Sequence, residues 1–121
     1  MDKKKTLVIG ASTNPERYSY LAILKLLTHH HPVVALGNRK GMVQGVEIAT
    51  EPQLLNNIDT ITLYINPSLQ QQYYAYIIGL SPKRIIFNPG TENGELADLA
   101  AQKGIKTLEA CTLVLLSTGQ Y

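Results

Sequence analysis

Short runs of β-branched and aliphatic residues alternate along this chain with longer segments whose apolar positions recur at helical spacing. Lys5–Ile9 reads as a first strand ending at Gly10, and a polar loop occupies residues 10–17. From Tyr18 to about Thr28, Leu21, Leu24 and Leu27, with Ile23 and Leu26, predict a helix. Pro32–Leu36 reads as the second strand, and the glycine-bearing residues 37–45 read as a loop. Glu51–Ile58 is expected to form a short helical turn, and Thr60–Ile65 a third strand. Asn66 then caps a second helix, with Pro67 suited to its first turn, running to about Ile78 and ended by Gly79. Arg84–Phe87 is a fourth strand, Glu95–Lys103 a helix closed by Gly104, and Lys106–Glu109 a fifth strand. Cys111–Leu116 is a last helix or an apolar tail. Strand–helix alternation with short loops means a parallel sheet covered by helices, with right-handed crossovers. Such sheets bind ligands at the carboxyl ends of their strands. The polar loops at 10–19, 37–41, 66–68 and 88–94 all begin there.

Length and composition narrow this further. A chain of 121 residues allows one domain, expected over residues 1–121. No apolar run approaches the ~18 residues that would cross a bilayer, so no membrane partner is expected. The amino-terminal run Met1-Asp2-Lys3-Lys4-Lys5 is charged, but the apolar stretch behind it is too short for a signal-peptide core. One cysteine cannot close an internal disulfide, which points to a cytoplasmic setting. Residues 1–45 carry seven Lys/Arg against two acids, a net +5, whereas residues 46–121 carry four against seven, a net −3. A polyanion-binding protein would be more basic throughout, so nucleic acid is not the expected partner. A local positive field suits a small phosphorylated ligand.

The loops specify that ligand further. Gly10 permits a tight turn, and the N–H groups of Ala11, Ser12 and Thr13, with the Ser12 hydroxyl, can surround an anion near a helix start. Arg17 and Ser19 lie on the same approach. NAD-binding folds usually place an acid after the second strand, to hold the ribose hydroxyl. This chain has Asn38, Arg39 and Lys40 there, which favours a ribose phosphate, as in NADP or coenzyme A. The two further glycines of the dinucleotide fingerprint are missing, which counts against NADP. Asn66, Pro67 and Ser68 sit where an adenine or a pantetheine arm would cross. Pro89, Gly90, Thr91 and Glu92 belong to a loop that could offer backbone groups to an amide-bearing chain such as pantetheine.

Other features read as structural. His29, His30 and His31 point in different directions at a helix end, where imidazolium suits the helix dipole, and no metal is expected on them. Cys111 has no neighbouring cation to lower its pKa and reads as a packing residue. Tyr73, Tyr74 and Tyr76, without accompanying bases, read as packing or a self-association face. No nucleophile–base pair and no metal set stands out, which favours a binding protein over an enzyme.

With these loops in hand, the chain resembles the small stand-alone CoA-binding domain proteins, which are similar to the CoA-binding Rossmann-type domain of the succinyl-CoA synthetase alpha subunit. The resemblance rests on Val8-Ile9-Gly10-Ala11-Ser12, Ser19-Tyr20, Ile65-Asn66-Pro67, Asn88-Pro89-Gly90 and Glu109–Cys111. It implies that residues 10–13 hold phosphates, that Lys40 meets the nucleotide, and that residues 65–67 and 89–92 line the rest of coenzyme A. Pattern and resemblance together predict a doubly wound, five-stranded parallel sheet in the order 3-2-1-4-5, Rossmann-like, with helices on both faces. The expected function is binding of coenzyme A or an acyl-CoA without catalysis by this chain alone. A small NADP-dependent enzyme is the alternative, and a protein-interaction module that has lost its nucleotide, homo-oligomeric or with another partner, is a third.

Overall fold

Thr6 to Ile9 is buried on both sides and forms the centre of a sheet, as a run with no polar alternation should. The computed structural model describes residues 3–121; Met1 and Asp2, which begin the charged amino-terminal run, lie outside the described residues. The fold is a Rossmann-like α/β arrangement. Its strands are β1 (Thr6–Ala11), β2 (Val33–Gly37), β3 (Gly41–Val43), β4 (Val46–Ala49), β5 (Thr60–Leu63), β6 (Arg84–Phe87) and β7 (Lys106–Glu109). They form one sheet in the order β3-β4-β2-β1-β5-β6-β7, parallel throughout except for the β3–β4 pair.

Two expectations about the sheet are corrected. It has seven strands rather than five. The strand read as third, at Thr60, lies beside β1 rather than outside β2. The place outside β2 belongs to β4, half of a hairpin in the stretch read as a loop. Its turn is Gln44-Gly45, with φ of +48° and +83°. Two positive φ values match the right-handed twist of the strands it joins. Val43 and Ile48 point into the core, while Met42 and Glu47 face out. That alternation was masked by the neighbouring Gly, Arg and Lys residues.

The helices are α1 (Tyr18–Thr28), α2 (Pro67–Gln70), α3 (Tyr74–Gly79), α4 (Gly94–Gln102) and α5 (Thr112–Ser117). The second predicted helix is thus broken: residues 71–73 form a single 3-10 turn between α2 and α3. Residues 51–58 are irregular rather than helical. Pro52 and the left-handed Asn57 (φ +60°) interrupt any helix there, while Leu55 and Ile58 pack inward and Leu54 faces solvent.

Helices cover both faces, and alternate strand residues supply the two cores. On one side Val8, Ala35 and Ile86 pack with Ile23 and Leu26 of α1 and Leu116 of α5. On the other, Leu7, Ile9, Ile61, Leu63 and Phe87 pack with Ile77 of α3 and Leu96 and Ala100 of α4.

The amino ends of the strands are closed by a polar cluster. His31 is buried, and its Nδ1 accepts from the Lys4 N–H at 2.9 Å. The Tyr121 ring lies between His31 (centroids 4.8 Å apart) and the Arg84 guanidinium (4.3 Å), and its hydroxyl bonds Thr6 Oγ1. The expectation that all three histidines form a polar helix end therefore fails for His31, which is a core residue. Its partner comes from 27 residues away, beyond the reach of local pattern. No helix among the described residues is long and apolar enough to cross a membrane.

Candidate ligand-binding cleft

The carboxyl ends of β1, β2, β5 and β6 enclose an open cleft of about 990 Å³. That volume lies at the upper end of the range for small-molecule sites. The chain enters it at Gly10, whose φ of +94° marks a bulge between Ile9 and Ala11. A Cβ at Gly10 would lie 3.0 Å from the Tyr64 carbonyl carbon, so position 10 requires glycine twice over.

The loop after β1 is built by its own side chains. Ser12 Oγ accepts from the Asn14 N–H at 3.0 Å, and Asn14 Oδ1 accepts from the Glu16 N–H at 3.0 Å. The Ser12 hydroxyl hydrogen is left to donate elsewhere, and the N–H groups of Ser12 and Thr13 lie beyond the end of β1. Arg17 then caps α1 with no side-chain bond to the helix. The first N–H groups of α1 have no partner within the helix and carry the positive end of its dipole. An anion lodged there meets N–H groups, a hydroxyl and a guanidinium together.

Two further walls complete the cleft. Asn38 and Arg39 approach from the end of β2, and Ile65 and Asn66 from the end of β5. Asn66 Oδ1 accepts from Leu69 N at 3.0 Å, capping α2. Pro89, Gly90 and Thr91 come from the end of β6. That loop is fixed from below by Asn88, which is buried. Its Nδ2 donates to Thr62 Oγ1 (2.6 Å) and Leu63 O (2.9 Å), and its Oδ1 accepts from Thr112 N (2.9 Å). Glu92 accepts from the Gly90 N–H at 2.8 Å, so its carboxylate holds the loop rather than facing the cleft.

Of the residues singled out in the sequence, Gly10, Ala11, Ser12, Thr13, Arg17, Ser19, Asn38, Arg39, Ile65, Asn66, Pro89, Gly90 and Thr91 meet at this cleft. Lys40, Pro67 and Glu92 are not in its lining. Lys40 sits where the chain turns into the β3–β4 hairpin, and Pro67 is the first residue of α2. The cleft also contains Asn14, from the same loop as Ser12 and Thr13, together with Glu16, Tyr18, Leu69 and Tyr64, which were not singled out for it. Tyr18 and Leu69 are largely exposed on its rim. Leu69 was legible as the residue three beyond the Asn66 cap, and Tyr18 as the first residue of α1. The Tyr64 hydroxyl is buried without a hydrogen bond among the described residues. Burial pushes its pKa up to about 12, against the lowering effect of the nearby Thr112 and Thr62 hydroxyls.

Among the described residues no group of three or more His, Cys, Asp or Glu is placed to hold a metal ion. The charged side chains of the cleft are Arg17, Arg39 and Glu16. The cleft thus carries its two guanidinium groups on the loops after β1 and β2, and uncharged hydrogen-bonding groups on the loops after β5 and β6.

The cleft lies at the carboxyl ends of the strands, the place where open α/β sheets bind ligands. Residues 4–117 match the family model described as CoA binding domain. The chain belongs to that family. It is 46% identical to an uncharacterized protein of known crystal structure, with all of both chains covered and a TM-score of 0.97. A hypothetical protein from Pyrococcus horikoshii shares the fold at 24% identity and TM-score 0.87, covering 96% of this chain and 83% of that one. A protein from Thermus thermophilus shares it at 18% identity and TM-score 0.86, covering 98% and 91%. No curated protein matches the chain.

Proposed function

We propose that the chain binds coenzyme A or an acyl-CoA, as one ligand-binding domain of the cytoplasm that catalyses no reaction by itself. The observation that carries this reading is the pairing of Arg17, at the start of α1, with Arg39, after β2, in one cleft of a CoA-binding-family domain. The diphosphate sits against residues 11–13 and the first turn of α1. Arg39 meets the ribose 3′-phosphate. Pantetheine runs between Ile65-Asn66 and Pro89–Thr91, whose backbone groups answer its amides. Lys40 stands outside the cleft lining, so the phosphate contact is assigned to Arg39 first.

The test is a calorimetric titration of the intact chain and of Arg39→Ala with coenzyme A, dephospho-CoA, NADP and NAD. The intact chain is expected to prefer coenzyme A. Arg39→Ala should weaken coenzyme A about tenfold, the value of one charge-assisted phosphate contact near 1.4 kcal/mol, and leave dephospho-CoA unchanged. Equal losses for both ligands would remove the 3′-phosphate assignment. Binding of NADP in preference to coenzyme A would replace the reading with a dinucleotide one.

A further inference from the structure

One fully buried amide behind the cleft ties two of its walls together. Gln70, at the end of α2, is 0% exposed. Its Nε2 donates to Ile65 O at 2.9 Å and to Thr91 O at 2.8 Å. Its Oε1 accepts from Asn93 Nδ2 at 2.9 Å, and Asn93 Nδ2 also donates to the Tyr74 hydroxyl at 2.8 Å. Asn93 Oδ1 meanwhile caps α4, accepting from Glu95 N and Leu96 N. Both amide hydrogens of Gln70 are used, one on each loop; the bond to Thr91 is fully buried and the bond to Ile65 partly so. The buried bond is expensive to break, because it would leave the Thr91 carbonyl without its partner.

Ile65 and Thr91 line the cleft; Gln70 does not. The two loops follow different strands, β5 and β6, and each leads into a different helix, α2 and α4. One side chain thus ties the β5 wall to the β6 wall, and its hydrogen bonds reach neither the β1 loop nor the β2 loop. We propose that Gln70 is a positioning residue that fixes the width of the half-cleft for an uncharged, amide-bearing ligand arm. This rests on the coenzyme A reading, in which that arm is pantetheine. The nucleotide half of the ligand lies against β1 and β2 and does not depend on Gln70.

The experiment compares two probes, coenzyme A and adenosine 3′,5′-bisphosphate, on the intact chain and on Gln70→Leu, which keeps the volume and removes both donors. Q70L should weaken coenzyme A about tenfold and the bisphosphate less than about twofold. Asn93→Ser serves where Q70L does not fold: it keeps a capping oxygen, removes the amide donor to Gln70 Oε1, and should show the same split at lower amplitude. Equal weakening of both probes, or an unchanged coenzyme A affinity in a folded variant, overturns the positioning role alone. An intact chain that binds the bisphosphate no more weakly than coenzyme A overturns the role as well, since the arm then adds nothing. An intact chain that binds neither probe overturns the coenzyme A reading, and the positioning role with it.

Discussion

Gly37→Ala is the substitution for which the structure gives the sharpest expectation. Gly37 ends β2 and is registered opposite Ala11 of β1. A Cβ there would lie 2.4 Å from the Ala11 carbonyl oxygen and 3.0 Å from Ile48 Cγ2. The first atom is backbone in the central strand, so no rotamer change relieves the contact. The ends of β1 and β2 must move apart by most of an ångström. Forced overpacking of this kind costs about 1–3 kcal/mol, and a backbone partner puts it in the upper half of that range. For a domain this size about 2 kcal/mol lowers the melting temperature by about 6–12 °C. Gly79→Ala is the control, because nothing lies within 4 Å of its Cβ and it ends a helix. It should be neutral or stabilising by up to about 1 kcal/mol. Urea and thermal unfolding of both variants decide the matter. A G37A protein that melts within a degree of the parent, or a G79A protein that falls as far, would refute the reasoning. Because Ala11 and Asn38 flank the clash, G37A should also weaken ligand binding by more than its stability loss explains.

Three further outcomes are expected. Burial lowers the pKa of His31 from its ordinary 6.5, assisted by His29, Lys4 and Arg84 and opposed by Asp59. The unfolded chain then binds the proton first, so this stabilisation is full above pH 6.5 and is lost as pH falls from there through the folded pKa. Urea midpoints at pH 7.5 and 5.0 should differ more for the parent than for His31→Gln, and identical pH dependences would contradict the assignment. Tyr64→Phe removes a buried hydroxyl with no hydrogen bond among the described residues and should raise stability by up to about 1 kcal/mol; a loss of that size would mean the hydroxyl is satisfied. Asn88→Ala strips three buried bonds and should cost about 2–4 kcal/mol in chemical denaturation, while a cost below 1 kcal/mol would show that the loops and α5 are held by other contacts.

What could be read from the chain depended on how local its cause was. β1, β2, β5 and β6 are continuous apolar or Thr-rich runs between turn residues, and each was evident from composition alone. The Asn66 cap and the ends of α1 and α4 were legible within about a residue, because capping chemistry is written at the position it acts on. The β3–β4 hairpin was hidden by its surroundings: Asn38, Arg39, Lys40 and Gly41 look like loop, and only Gln44-Gly45 between apolar residues marks the turn. Strand order failed for the same reason, since the missed hairpin takes the place assigned to Thr60–Ile65. The cleft was foreseeable as a convergence of strand-end loops. The departures of Lys40 and Glu92 from it were not, because the first follows from the hairpin and the second from a hydrogen bond to Gly90. Gln70, His31 and Asn88 are polar residues buried by partners far along the chain, and no periodicity announces them.

The β3–β4 hairpin protects the sheet as well as enlarging it. Without it, β2 would present a parallel edge of Val, Ala and Leu, a template on which another chain could add a strand. The hairpin instead ends the sheet in β3, three residues long, reversed in direction and joined by a tight turn. Its outward Met42 and its neighbours Arg39 and Lys40 make that border short and cationic. Residues 41–49 thus serve twice, and a chain trimmed of them would lose Val43 and Ile48 from its core together with the border that keeps β2 from pairing with a foreign strand.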